Sequence, residues 1–320
     1  MIIDLKTAVE FLKNNDDFMI LTHAHPDGDT LGCGFALCDA LKSLGKNAVV
    51  RCGDTVPSKY SYMGSICVDD IEYENIIAVD VADTKLLGAD FEARFGDRVK
   101  LCVDHHGSNR LYAEKTLLDA SAAAACEIIL EVIKALGATV TKTIADCIFT
   151  GLSTDTGCFR YANVTPRTLR MAAEMIESGA DHSRINVIMF ETKTRTYVAL
   201  ERLALESMKM YLDDKCAFIT ITQDMYRRSG SDESEVDAIA SIPRQIEGVV
   251  VGVTMREKKD GTFKVSMRTH EGVDASAVCA MLGGGGHPRA AGCTVSGNVN
   301  MARNLVVSCI EKYLQAEVNT

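Results

Sequence analysis

Four short apolar runs, at 18–22, 48–51, 76–79 and 99–103, alternate with stretches whose apolar residues recur at helical spacing. Leu31, Phe35, Cys38, Leu41 and Leu44 mark a helix over 30–44 that Gly45 stops. Ile128, Ile129, Val132, Ile133 and Leu136 mark another over 122–136, with Gly137 as its stop. Helical patterns also cover 143–152 and 168–176. Strand-helix-strand alternation predicts an α/β fold, a parallel sheet with helices on both faces.

The pattern changes along the chain. Residues 184–212 read as two helices, and the remainder as strands at 216–221, 248–253 and 262–268, with a hairpin turn over 258–261. Helices are expected over 236–246, 275–282 and 301–314, giving a smaller mixed α/β domain. A length of 320 residues suits two domains, placed at 1–185 and 213–320, with a helical connector at 186–212.

Composition narrows the function. No apolar run reaches the ~18 residues of a membrane span. The N-terminus carries Asp4 and Glu10 and lacks the order of a signal peptide. The 12 cysteines form no CxxC pair, which suggests free thiols in a reducing cytoplasm. A net charge of −10 argues against coating a long duplex, which needs clustered Lys and Arg. A small phosphorylated substrate held by metals remains compatible, and so does a homodimer.

The carboxylates are informative by position. His23, His25, Asp27 and Asp29 follow the first run, Asp80 and Asp83 the third, and Asp104, His105 and His106 the fourth. Asp155 follows a helical pattern. In an open parallel sheet, strand C-terminal ends share one edge, where ligands bind. His23, Asp27, Asp29, Asp80, His105 and Asp155 then form a plausible ligand set. Four carboxylates so close could not all stay ionised alone, whereas two divalent cations balance their charge. Oxygen and nitrogen donors without cysteine suit Mn²⁺, with Mg²⁺, Fe²⁺ or Zn²⁺ as alternatives. Asp104 and Asp83 are expected to orient ligands, and Gly28 to let the chain turn tightly between Asp27 and Asp29. Asp27 and Asp29 could instead be helix N-caps. His25 and His106 read either as substrate contacts or as solvated histidines.

The ordered set His23-x-x-x-Asp27-x-Asp29, Asp80, Asp104-His105-His106 and Thr154-Asp155-Thr-Gly157 resembles the DHH superfamily of phosphoesterases. That resemblance implies two metals, usually manganese. It places His23 and Asp27 on one, Asp29, His105 and Asp155 on the other, and Asp80 between them. Gly34, Cys158 and the run 122–125 depart from the family pattern without touching these positions.

A second motif, Gly283-Gly-Gly-Gly-His287-Pro-Arg289-Ala-Ala-Gly292, reads either as a flexible loop or as a phosphate-accessible backbone flanked by donors. With its histidine and Ala-Ala-Gly ending it resembles the DHH-associated C-terminal domain. The resemblance implies substrate contacts from Gly284, Gly285, Gly286, His287 and Arg289, with Arg268 either a further contact or an exposed strand residue. Family II pyrophosphatases share the first motifs but carry a different C-terminal domain. The likeness spans the chain and is nearest to the compact nanoRNase and pAp-phosphatase type. It implies 3′-5′ degradation of short RNA to 5′-mononucleotides and removal of the 3′-phosphate from pAp. Two-metal hydroxide attack would do the chemistry in a cleft between the domains, aided by His106 and its neighbour Asp104. A phosphodiesterase of cyclic or linear dinucleotides (c-di-AMP, pApA, pGpG) and a non-catalytic nucleotide-binding regulator are the rival expectations.

Overall fold

The computed structural model describes residues 1–69, 71–236 and 239–318. The chain divides into two compact units, Met1–Thr192 and Lys193–Thr320.

The first unit runs α1 (Leu5–Asn14), β1 (Phe18–Thr22), α2 (Gly28–Ser43), β2 (Ala48–Cys52), β3 (Asn75–Val79), α3 (Ala89–Phe95), β4 (Val99–Asp104), β5 (Lys115–Leu118), α4 (Ala125–Leu136), α5 (Lys142–Asp155), α6 (Pro166–Glu177) and α7 (His182–Asn186). Its strands form one parallel sheet in the order β2-β1-β3-β4-β5. Side chains alternate along each strand. Phe18, Ile20, Ile77, Val79, Leu101 and Val103 meet α2, α4 and α5 on one face. Met19, Leu21, Ile76, Ala78 and Cys102 meet Phe91 and Phe95 of α3 on the other. Because the chain passes from β2 back across β1 to β3, the strand order switches beside β1, and the C-terminal ends of β1 and β3 open a crevice there.

Three elements of this unit carry no expectation from the sequence. Asp4 accepts from Thr7 N and caps α1, whose Ala8, Val9 and Leu12 are buried. β5 pairs with β4. α3 is only seven residues long.

The second unit holds α8 (Arg195–Glu206), β6 (Lys209–Tyr211), β7 (Cys216–Ile221), α9 (Gln223–Ser229), β8 (Val251–Glu257), β9 (Phe263–Thr269), α10 (Ala275–Ala280), β10 (Gly285–His287), β11 (Ala290–Val295) and α11 (Val299–Val318). Its sheet runs β10-β11-β9-β8-β7-β6; β7 and β8 are parallel and the other pairs antiparallel. Ile219 and Ile221 of β7 pack on Tyr197, Leu200 and Ala204 of α8, and the opposite face packs on α10 and α11. The segment 186–212, expected as a helical connector, is therefore shared: a π-helical turn, Val187–Glu191, lies in the first unit and α8 in the second, and its end is not helical, because 209–211 pair with β7 as the strand β6.

Two expectations need correction. Over 236–246 the described residues form short 3₁₀ turns, Ile239–Ser241 and Pro243–Gln245, and no α-helix; residues 237 and 238 lie outside the described residues. Pro243 has no N–H for the bond an α-helix would need. The glycine-rich run is not a plain loop: Gly285–His287 is an edge strand paired with β11, Gly286 opposite Ala291. Gly286 has φ +147, and a Cβ there would lie 2.7 Å from Ala290 O, so only glycine fits the hairpin. Among the described residues, no helix is long and apolar enough to cross a membrane.

Candidate metal centre

The end of β1, the start of α2, the end of β3, the end of β4 and the last residue of α5 meet at the switch in strand order. They bring His23, Asp27, Asp29, Asp80, His105, His106 and Asp155 together in overlapping groups: His23, Asp27 and Asp80; Asp29, His105 and Asp155; and Asp80, His105 and His106.

Each side chain has its own anchor. Asp27 caps α2, its Oδ1 accepting from Asp29 N at 3.0 Å and Thr30 N at 3.1 Å, so the cap reading and the ligand reading coexist. Thr30 Oγ1 donates to Val79 O at 3.0 Å and ties α2 to the end of β3. Asp29 is fully buried and accepts from Ala125 N at 2.6 Å and Cys126 N at 2.9 Å. It therefore caps α4 from another element, in place of Ala124, which has no capping side chain. Asp80 holds a left-handed backbone, φ +58, a strain that clusters at functional sites. Asp155 ends α5.

The histidines show their tautomers. His23 Nδ1 lies 2.8 Å from Ala24 O and His105 Nδ1 lies 3.2 Å from Ala122 O. A carbonyl oxygen only accepts, so each Nδ1 carries hydrogen and each Nε2 turns to the carboxylates. His105 Nε2 sits 3.4 Å from Asp155 Oδ2, 3.5 Å from Asp80 Oδ1 and 3.9 Å from Asp29 Oδ2. His23 Nε2 sits 3.6 Å from Asp27 Oδ1 and 3.7 Å from Asp80 Oδ2. Buried His105 Nε2 and Asp80 Oδ1 have no hydrogen-bond partner. Four carboxylates gathered around two imidazole Nε2 atoms at 3.4–3.9 Å repel one another unless cations lie among them. The donor set of imidazole nitrogen and carboxylate oxygen fits divalent metals.

The electrostatics agree. Burial, then the charges of Asp29, Asp27, Asp155 and Asp104, pushes the Asp80 carboxyl well above its usual range. Burial and the charges of Asp29 and Asp27 push Asp155 up to about 9. Burial also raises Asp29, with His105 opposing. Burial would raise Asp27 too, but His23 and the backbone N–H groups of Thr30 and Asp29 outweigh it and hold it low.

Asp104 is outside the ligand groups and holds the two histidines that follow it. Its Oδ1 accepts from His105 N at 2.8 Å, His106 N at 3.3 Å and His106 Nδ1 at 2.8 Å, and Asn109 Nδ2 donates to its Oδ2 at 2.6 Å. Asp104 is fully buried and holds the His106 ring. Asn109 was missed; its signal was an amide five residues past a strand-end aspartate. Asp83 does not orient a ligand: it caps the 3₁₀ turn Thr84–Leu87 and faces Arg110 at 3.7 Å. His25, φ +53, turns outward to Asp54, with 2.9 Å between Nδ1 and Oδ2.

Gly28 serves a different purpose from the one expected. It takes no left-handed φ; a Cβ there would lie 2.4 Å from Thr154 Oγ1, so close approach of α2 and α5 requires glycine. At Gly151 of α5 a Cβ would meet Cys126 Sγ at 2.3 Å and Asp29 Oδ1 at 2.6 Å. Cys33, one turn beyond Asp29, brings its thiol to 3.7 Å from Asp29 Oδ1 and 3.5 Å from Cys126 Sγ. The sequence reading had not picked out these thiols.

In the second unit, Gly284 lies against β11, Gly285, Gly286 and His287 form the exposed β10, and Arg289 donates to His270 O. Arg268 on β9 pairs in register with Ala290, and its Nη1 lies 3.1 Å from Met267 O.

Family models agree in placing the two halves. The N-terminal domain of the DHH family matches residues 17–152 and the DHHA1 domain matches 214–312. The chain belongs to the DHH family. Among curated relatives, a bifunctional oligoribonuclease and PAP phosphatase NrnA from Thermus thermophilus is 31% identical over 92% of this chain and 89% of its own. The Bacillus subtilis protein of the same name is 26% identical over 88% of this chain and 90% of its own. Among solved structures, an exopolyphosphatase-related protein from Bacteroides fragilis matches with a TM-score of 0.88 and 23% identity, over 98% of this chain and 97% of that one; this likeness shares the fold. With these matches, the DHH phosphoesterase is a hydrolase that uses divalent metals.

Proposed function

We propose that this DHH protein is a manganese-dependent phosphoesterase of short nucleotides. It degrades short oligoribonucleotides 3′ to 5′ into 5′-mononucleotides and removes the 3′-phosphate from pAp. The observation that carries the reading is the convergence of two imidazole Nε2 atoms and four carboxylates at the switch in strand order. The names of the NrnA relatives supply the substrate class.

His23 and Asp27 would hold one divalent ion and Asp29, His105 and Asp155 the other, with Asp80 beside both sets. Bound there, the ions supply charge for the phosphoryl oxygens and a water of lowered pKa. The chain's residues do the rest. Asp104 fixes the His106 ring through Nδ1, which leaves Nε2 to contact the scissile phosphate or hand a proton to the leaving oxygen. His106 is half-exposed, as a substrate contact requires. Gly284, Gly285, Gly286, His287, Arg289 and Arg268 contribute phosphate and nucleotide contacts from the second unit. All twelve cysteines are free, ten of them buried, which supports a reducing cytoplasm as the site of action.

The test is a comparison of pAp, a three-nucleotide RNA and c-di-AMP with Mn²⁺. Turnover of the first two is expected to dominate. A dominant rate on c-di-AMP would overturn the substrate assignment.

A further inference from the structure

Residues 53–69 and 71–74 lie between β2 and β3, and the first stretch lines a cavity of about 530 Å³ that opens to solvent. Long ordered connections are uncommon without a function. This one is pinned by its own packing. Tyr60 and Met63 are buried in the main core, Tyr62 Oη meets Thr150 Oγ1 of α5 at 2.6 Å, and Cys67 N donates to Val50 O at 2.7 Å. At Gly64 a Cβ would press on Phe35 of α2 at 2.8 Å. This packing sets the loop against α2 and α5, the helices that carry Asp29 and Asp155.

The cavity adjoins the ligand turn. Asp54, on its wall, binds both Nδ1 and the backbone N of His25, two residues from His23 and from Asp27. Cys52 Sγ, at the end of β2, reaches His23 O at 3.4 Å. Lys59 and Tyr60 on the same loop lie within electrostatic reach of Asp27.

Its lining is uncharged apart from one acid. Hydroxyls of Thr55, Ser61 and Ser65 share the wall with Val56, Ile66 and the Asp54 carboxylate, and no Lys or Arg lines it. A phosphate would find no cation there. Sugar hydroxyls and base amino groups would find acceptors, and a base face would find apolar surface. The volume falls in the range of small-molecule sites, roughly 300–1,000 Å³.

The geometry points to this cavity as a nucleoside subsite, seating the base and ribose of the nucleotide whose phosphate lies at the metals. The inference rests on the nucleotide reading above and adds the place where that reading gains its specificity for nucleotides over simple phosphate esters.

Calorimetry with Mn²⁺ tests it, using AMP and inorganic phosphate as probes. Ser61→Trp fills the cavity, and Ser65→Trp fills it independently, so one misfolded variant does not end the test. Each is expected to keep the Mn²⁺-induced rise in melting temperature, to weaken AMP at least tenfold and to leave phosphate within twofold. AMP binding that is unchanged in a folded variant, or weakened only in step with phosphate, would overturn the subsite. So would a wild-type protein that binds AMP no better than phosphate. Wild-type turnover of pAp and of the three-nucleotide RNA is measured separately. Its absence would count against the functional reading, while the ratio of AMP to phosphate affinities reads the cavity alone.

Discussion

His105 presents Nε2 to Asp155 Oδ2 at 3.4 Å with no hydrogen bond between them, while Ala122 O fixes the other side of the ring. The pair belongs to a cluster whose native geometry is unfavourable until cations enter it. Stability and activity should therefore move in opposite directions when the cluster loses charge.

Asp80→Asn is the sharpest case. Asp80 is 3% exposed, and its neighbours raise the cost of its charge. The metal-free variant is expected to melt above the metal-free wild type. Its Mn²⁺-induced rise in melting temperature should be largely lost, because a ligand stabilises the fold only where its concentration exceeds its Kd. Turnover should fall at least ~100-fold, the scale of losing a group that stabilises transition-state charge. Scanning calorimetry with EDTA and with Mn²⁺, beside a rate assay, reads all three.

Asp104→Asn tests positioning. The amide keeps its size but loses the charge that holds the His106 Nδ1–H. A fall in kcat of about 10–100-fold is expected, the range for residues that orient site groups, with two metals still bound. Loss of metal stoichiometry would place Asp104 among the ligands instead.

Close approach of α2 and α5 is tested at Gly28. Gly28→Ala puts a methyl against Thr154 and should cost about 1–3 kcal/mol as overpacking does. Thr154→Ala in the same chain should recover part of that loss, since contacting residues are not additive. Denaturant melts of the two single variants and the double variant measure the coupling.

The stability of the first unit should carry an acid limb from Asp119. Burial favours its neutral form, but Ser121 and Arg167 outweigh that and hold the carboxyl below its ordinary 3.8. A depressed native value means the unfolded chain binds the proton first as pH falls. The contribution is present above about pH 4 and disappears as pH drops through the native value. Asp119→Asn should destabilise by up to about 1 kcal/mol at pH 6–8, and the gap to wild type should close below pH 4 in urea melts.

The parallel sheet was legible because its strands are short apolar runs set between helical periods, and each ligand cluster abuts a strand or helix end. What sequence could not show was contact between distant segments. Asp29 caps α4, 96 residues away, and Gly28 is required by Thr154 rather than by its own backbone. Likewise, hydrogen bonding across β10 and β11 turned an apparent loop into a hairpin. At 236–246 the helical spacing was present, but Pro243 removed a backbone donor the helix needed.

Manganese soaked into crystals, located by its anomalous scattering, tests the central claim most directly. Two sites per chain are expected, one among His23, Asp27 and Asp80 and one among Asp29, Asp80, His105 and Asp155. No manganese within this cluster, or manganese bound only elsewhere on the chain, would contradict the account.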